Sequence, residues 1–376
     1  MRVISVILCA VLLFHAAKPY HAAAEEVFDS AEAYVLAEAS TGAVLLEKNS
    51  DKQMDIGYLA KLMTLLIVAE DIQTGRYSLD TELTASQSVS GTKGAVVWLE
   101  PGDKMTVEEL LKSAIIGNAN DAVTVLAENS ERSVENFVKR MNTEAFDLGL
   151  RDTAFLSPWG FYGEGSYSTA YDLAVICCRL SGFEFLRPYF KTWRDFVKSG
   201  ATELVSENSL ARTYERHIGF KACHYDEMYS VAEGGESDSG ERYIAIVLNS
   251  PDSDSSLRSA KKLVERGFRE FKVTATAFPD EMLMPLKVRC GCESAVEISL
   301  RRQQNLVIPS AVNELSTVVV MPQYLDAPVK YGQVVGSAAF YSEKELVCEI
   351  DIIAEKDVEE LNFSFVARKM LAKLLE

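Results

Sequence analysis

The sequence predicts an α/β chain in two parts: an antiparallel sheet covered by helices, then a small all-β domain. Three patterns carry this expectation. Strand-like runs stand near both ends of residues 25–275, with helical patterns between them. Residues 59–69 are apolar on every helical face, which marks a helix buried all round. Beyond Ala277-Phe278-Pro279 the helical spacing gives way to short β-rich runs punctuated by Pro309, Pro322 and Pro328.

Residues 1–24 read as a secretory signal. Arg2 gives the charged start, residues 3–17 are apolar apart from Ser5 and His15, and Ala22-Ala23-Ala24 offers a small-residue cleavage site. The apolar run is short for a membrane span. Removal of Arg2 and Lys18 leaves 36 basic and 55 acidic residues, a net charge of −19. That charge argues against nucleic acid as a partner and against attraction to an anionic membrane surface. Six cysteines remain, an even number that permits disulfides in an exported protein. Cys177-Cys178 lies in an apolar helical run and reads as core. Cys290-x-Cys292 is expected to put two thiols on one face of a strand, with Cys348 within reach. No Cys/His spacing suggests a metal, and no cofactor is expected.

The elements follow in order. Residues 33–36 and 43–46 form a hairpin around the turn Ser40-Thr41-Gly42. The buried helix comes next and ends near Gly75. Residues 76–104 are polar and loop-like. Thr106 and Glu109 make a capping box for a helix running to about Ile116. A helix over residues 122–128 follows, then one capped by Ser133 and closed by Gly149. Ser157-Pro158-Trp159-Gly160 is a loop, and Ser168-Thr169 caps a helix over 170–180. Residues 215–229 and 241–249 read as strands, and 256–271 as a helix. A linker over 276–284 leads into the β-domain, residues 285–355. Residues 356–376 end in an amphipathic helix from Leu361, with Val366, Met370 and Leu374 opposed to Arg368, Lys369 and Lys373. It is too short to span a bilayer. It suits peripheral membrane contact or packing on its own domain.

Lys61 is the anomaly of the buried helix, because an ammonium among apolar neighbours needs a partner or a lowered pKa. The stretch Tyr58-Leu59-Ala60-Lys61-Leu62-Met63-Thr64 resembles the Ser-x-x-Lys-x-Met-Thr helix of the D-alanyl-D-alanine carboxypeptidases, the low-molecular-mass penicillin-binding proteins. Further stretches share the resemblance: Thr41-Gly42-Ala43-Val44-Leu45, Asn118-Ala119-Asn120-Asp121-Ala122, Ser157-Pro158-Trp159-Gly160, Tyr167-Ser168-Thr169-Ala170, Ile218-Gly219-Phe220-Lys221 and Lys330-Tyr331-Gly332-Gln333. It covers residues 30–275 strongly and 285–355 more weakly. It implies an α/β sandwich of the penicillin-binding, serine β-lactamase-like type.

The resemblance also implies a site. Family enzymes attack the D-Ala-D-Ala carbonyl with a serine whose proton passes to a lysine one turn later. Here Tyr58 holds the nucleophile position and Lys61 the base position. The phenol is expected to fill the site and hydrogen-bond Lys61. In the second motif, Ser-x-Asn, Asn118 replaces the serine and Asn120 is retained to bond Lys61 or a peptide carbonyl. In the third, Lys-Thr-Gly, Lys221 is kept as counter-charge for a substrate carboxylate. Ala222 and Cys223 replace the threonine and glycine, and His224 follows in the substrate-binding strand. Cys223 and His224 are adjacent on a strand, so they point to opposite faces and make a poor nucleophile–base pair. Four departures, at 58, 118, 222 and 223, read as lost catalysis. The expectation is an exported, extracytoplasmic protein of peptidoglycan metabolism that binds stem peptides or a cell-wall enzyme without catalysis. The alternatives are a scaffold with a closed cleft, or an active carboxypeptidase with an altered nucleophile.

Overall fold

Segments from the two ends of the first unit make one five-stranded antiparallel sheet. Its strands are β1 (Ala33–Glu38), β2 (Val44–Lys48), β3 (His217–Tyr225), β4 (Met228–Glu236) and β5 (Arg242–Ser250), in the order β2-β1-β5-β4-β3. This computed structural model describes residues 30–367, apart from 226, 277–283, 303, 313–314 and 343. The expected signal, nearly all of the expected linker and residues 368–376 lie outside the described residues. Strand β1 is buried at every position, so both faces of the sheet are covered there. The hairpin turn is held from within, since the buried Glu38 carboxylate accepts from the Ser40 and Thr41 backbone amides and hydroxyls.

Helix α1 (Lys61–Gln73) packs on α3 (Asn120–Glu131), α4 (Val134–Asp147) and α5 (Ala170–Leu180), and α5 packs on β1 and β5. Leu62, Met63, Leu65, Leu66, Ile67 and Val68 have no exposed surface. Each such side chain contributes about 1.5–3 kcal/mol of transfer free energy. Thr64, in the same helix, donates its hydroxyl to Pro158 O at 2.9 Å and so fastens the 157–160 loop to α1. The capping box of α2 (Val107–Ile115) is present: Thr106 Oγ1 accepts from Glu109 N, and the Glu109 carboxylate accepts from Thr106 N. Helix α3 begins at Asn120, two residues before the expected start.

The expected strand 215–229 is in fact β3, a turn and the start of β4. Strand β4 escapes the sequence pattern because its residues answer to close packing rather than to alternation. A Cβ on Gly234 would lie 2.9 Å from Ile218 Cγ1, and one on Gly235 would lie 2.4 Å from Val264 Cγ1 of helix α6 (Ser253–Glu270).

The second unit is all-β around its own core, which includes Val288, Val296, Val329, Phe340 and Ile352. One sheet orders Ile298–Leu300, Glu345–Ala354, Val334–Ser342 and Ser316–Val320; another orders Ala295–Val296, Leu286–Arg289 and Tyr324–Asp326. The division falls after Arg269 rather than at residue 275, because strand Phe271–Ala275 pairs with Asn305–Pro309. The β-domain also runs past residue 355, since Val358 bridges to Val329 and Glu360 to Gly291.

A buried ion pair joins β3 to β4. His217 Nδ1 lies 2.7 Å from Glu233 Oε1 and Nε2 lies 3.1 Å from Phe190 O, while Asn208 Nδ2 donates to Glu233 Oε2 at 2.8 Å. Burial alone would lower the histidine pKa, but the charge and hydrogen bond of Glu233 prevail and raise it. Burial raises that of Glu233. A group with a raised folded pKa gives stability that is full below its unfolded pKa and lost as pH rises through the folded value. Unfolding free energy should therefore fall as pH rises above about 6.5, the ordinary histidine value. His217→Ala should cost about 3–5 kcal/mol at the acid end and flatten that slope. Denaturant titrations across this range check it, and a wild-type profile as flat as the variant's would contradict it.

Candidate functional site

The chain enters α1 through a 3-10 turn, Gly57–Ala60, so Tyr58 and Lys61 stand one short turn apart. Lys61 is fully buried. Its Nζ donates to Asn118 Oδ1 at 2.7 Å and to Asn118 O at 3.1 Å. It also sits 4.3 Å from the centroid of the Tyr58 ring. The expected hydrogen bond to the phenol is thus replaced by a contact with the ring face. The hydroxyl overshoots the amine and reaches toward Gly94, where an added Cβ would lie 3.2 Å from Tyr58 Oη and 2.6 Å from Asn120 Nδ2. Burial pushes the Lys61 pKa well below the usual lysine range, and the charge of Lys221 adds to the shift.

Asn118 reaches Lys61 because its backbone is left-handed, with φ 55°, between α2 and α3; asparagine tolerates that region. Asn120 does not bond Lys61. Its Nδ2 donates to Lys93 O at 2.7 Å, its backbone N donates to Ala95 O, and its buried Oδ1 has no hydrogen-bond partner. The next residue, Asp121, accepts from Val97 N and Leu99 N, so the start of α3 holds the whole 93–99 loop.

Lys221 on β3 is 4% exposed and directs its amine at the C-terminal carbonyls of α2, Ala114 O at 3.2 Å and Ile115 O at 3.4 Å. Burial lowers its pKa to about 8, against the attraction of Glu207. The expected carboxylate counter-charge is therefore already engaged inside the protein. Ala222 stands opposite Val231. Cys223 is buried, with Sγ 3.8 Å from Ile56 O, and burial followed by Glu207 pushes its thiol up to about 12. His224 is exposed, stacks on Tyr229 and lies 3.9 Å from Glu207 Oε2.

Glu207 is the residue that sequence reasoning missed. Its carboxylate lies 3.4 Å from Asn118 Nδ2 and acts on the charges of Tyr58, Lys61, Lys221 and Cys223 together. It sits in an irregular loop, and only the fold brings it there. Beside this cluster is a cavity of about 170 Å³ walled by Tyr58, Phe161, Tyr162, Cys223, His224 and Tyr225. Lys61, Asn120 and Lys221 are not on its wall. The structure thus brings Tyr58, Lys61, Asn118, Asn120, Lys221 and Cys223 into one neighbourhood, while only Tyr58, Cys223 and His224 face the open space.

Comparison with known proteins follows the same lines. Residues 20–251 match the family model described as D-alanyl-D-alanine carboxypeptidase, and residues 274–360 match that of the C-terminal domain of penicillin-binding protein 5. The chain is 27% identical over 351 residues to the D-alanyl-D-alanine carboxypeptidase DacF of Bacillus subtilis, covering 92% of this chain and 90% of that one. It is 27% identical over 346 residues to DacC of Escherichia coli, covering 89% and 85%. Penicillin-binding protein 5 of Haemophilus influenzae superposes with a TM-score of 0.80 over 88% of this chain and 98% of that one, at 23% identity. The expected fold, a penicillin-binding α/β domain followed by an all-β domain, is borne out.

The position of Tyr58 depends on Gly160. A Cβ there would fall 2.0 Å from Gly57 O and 2.7 Å from Ala60 Cβ, and its φ is 72°. Gly160→Ala should push the 57–60 turn aside and cost about 2–4 kcal/mol. Thermal unfolding together with the Tyr58 ring resonances checks this; an unshifted Tyr58 in a fully stable variant would contradict it.

Proposed function

This chain belongs to the D-alanyl-D-alanine carboxypeptidase family of peptidoglycan metabolism, and we propose that it is a member without catalysis that holds a stem peptide in the cavity beside Tyr58. One observation carries the reading: the Lys61 amine gives its hydrogen bonds to Asn118 and is covered by the Tyr58 ring. An acylating site needs an attacking hydroxyl bonded to its base. Here the phenol turns its ring, not its oxygen, to the amine. Burial and then Glu207 raise the Tyr58 pKa, which disfavours the phenolate an altered nucleophile would need. Asn118 supplies an amide where a proton-relaying hydroxyl would serve, and Ala222 has no hydroxyl for a substrate carboxylate.

The cavity supports binding because it is open and walled by aromatic rings at the third-motif strand. A cell-wall enzyme seated on the same face is the other occupant this reading allows. Burial of Lys61, Asn120 and Lys221 favours a second reading, a scaffold whose cleft stays closed. The family placement and the segment 1–24 support an extracytoplasmic location. Peripheral membrane contact through residues 361–376 fits the exposed Leu361 and Phe363, and among the described residues no helix is long and apolar enough to cross a membrane.

The wild-type chain should release no D-alanine from a peptide ending in D-Ala-D-Ala. Tyr58→Ser alone should restore little, because each missing group costs on the order of a hundredfold in rate. Serine at 58 and 118 with threonine and glycine at 222 and 223 should recover release. Titration of the same peptide separates the two readings. Saturable binding weakened roughly tenfold by Tyr225→Ala supports the cavity, and absence of binding supports the closed scaffold. Turnover by the unmodified chain would sink both.

A further inference from the structure

The segment Cys290-Gly291-Cys292 plays no part in the reading above. Strand Leu286–Arg289 stops just before it, and Val288 N donates to Ser294 O at 2.9 Å, closing a loop around the two cysteines. The expected placement on one strand face therefore does not hold. In an extended strand, alternate residues stand roughly 6.4–6.8 Å apart, at the far limit for a disulfide. Here Cys290 is left-handed, with φ 55°, and bends the segment. Gly291 is packed so tightly that a Cβ would come 2.8 Å from Val358 Cγ1 and 2.9 Å from Val288 Cγ1. Both thiols are unpaired; Cys290 is exposed and Cys292 partly so. Cys348 stands elsewhere, opposite Phe340 in the four-stranded sheet.

These three residues also hold the chain that leads to the C-terminal segment. Cys290 O accepts from Leu361 N at 2.7 Å, Cys292 N donates to Glu359 O at 2.8 Å, and Cys292 Sγ lies 3.5 Å from Glu360 O. One of the two sulfurs, Cys292 Sγ, is thus itself part of the grip on residues 359–361, and the backbone on both sides of Gly291 supplies the rest.

We propose that Cys290 and Cys292 form a dithiol–disulfide couple, exchanging with disulfides of the glutathione class, that loosens the grip on residues 359–361 when oxidised. The exposed Cys290 thiolate attacks one sulfur of the external disulfide, forming a mixed disulfide and releasing one thiol. The Cys292 thiolate then attacks the Cys290 sulfur, closing the Cys290–Cys292 bond and releasing the second thiol. Two electrons and two protons pass to the reagent, and nothing else is consumed. The ring spans only three residues, so the bond is strained and readily reduced again. The proposal requires that closure draw Cys292 Sγ away from Glu360 O and turn the Cys290 carbonyl off Leu361 N, the contacts present in the dithiol. None of this depends on whether the first unit catalyses or binds.

The full chain, equilibrated in buffers of graded oxidised-to-reduced glutathione ratio, alkylated and digested with trypsin, tests the proposal. Arg289 and Arg301 bound one peptide that contains both cysteines. As the buffer becomes oxidising, that peptide should lose both alkyl groups together and appear two hydrogens lighter than the dithiol. Cys292→Ser should instead give a peptide carrying glutathione on Cys290. The Leu361 amide should exchange hydrogen at least roughly tenfold faster in the oxidised chain. A peptide doubly alkylated at every ratio, a cross-link to the Cys348 peptide, or a closed disulfide with unchanged Leu361 exchange would each overturn it.

Discussion

The buried amine of Lys61 constrains the rest of the first unit. An ammonium placed alone in that core would cost several kcal/mol, so the neighbourhood is arranged to hold it. Asn118 offers two oxygens from a left-handed residue between two helices. The Tyr58 ring closes the remaining side. Lys221 repels the amine and lowers its pKa further, while Glu207 supplies the balancing negative charge. Lys221 is settled by the last carbonyls of α2, which ties β3 to that helix. The position of Tyr58 rests on the contact of Gly160 with Gly57, and the 157–160 loop rests on Thr64, one turn along from Lys61.

Much of this was legible in the sequence, and the parts that were not share a cause. The buried helix, the capping box and the three motifs depend on residues within a few positions of one another, so local patterns reveal them. Glu207 lies in a loop whose place is decided by the sheet. Strand β4 is read poorly because Gly234 and Gly235 serve the approach of Ile218 and Val264 rather than the alternation of a strand. The partner of Lys61 was misjudged because a side-chain list gives no reach: the phenol is too long to meet an amine one turn away with its oxygen. The pair Cys290 and Cys292 looked like alternate strand positions, and the left-handed Cys290 shows otherwise. The boundary at Arg269 is hidden because Phe271–Ala275 finds its pairing partner in Asn305–Pro309, far along the chain, through backbone hydrogen bonds.

Fold and chemistry are separable here. Strands, helices and core need apolar volume and caps, and the chain retains these throughout. On the proposed reading, catalysis in this family's manner needs hydroxyls and a glycine at a few points, and those points carry Tyr58, Asn118, Ala222 and Cys223. That reading has the site keep its amines, its strand and its cavity while the reaction loses its attacking group. The aromatic wall of the cavity is what the proposed reading relies on for contact with a peptide.

The central claim is that Lys61 has no nucleophile to activate. Intact mass of the unmodified chain after incubation with a labelled penicillin tests it most directly. The account predicts an unchanged mass. A clear penicilloyl adduct that Tyr58→Phe abolishes would contradict it and make the phenol the attacking group.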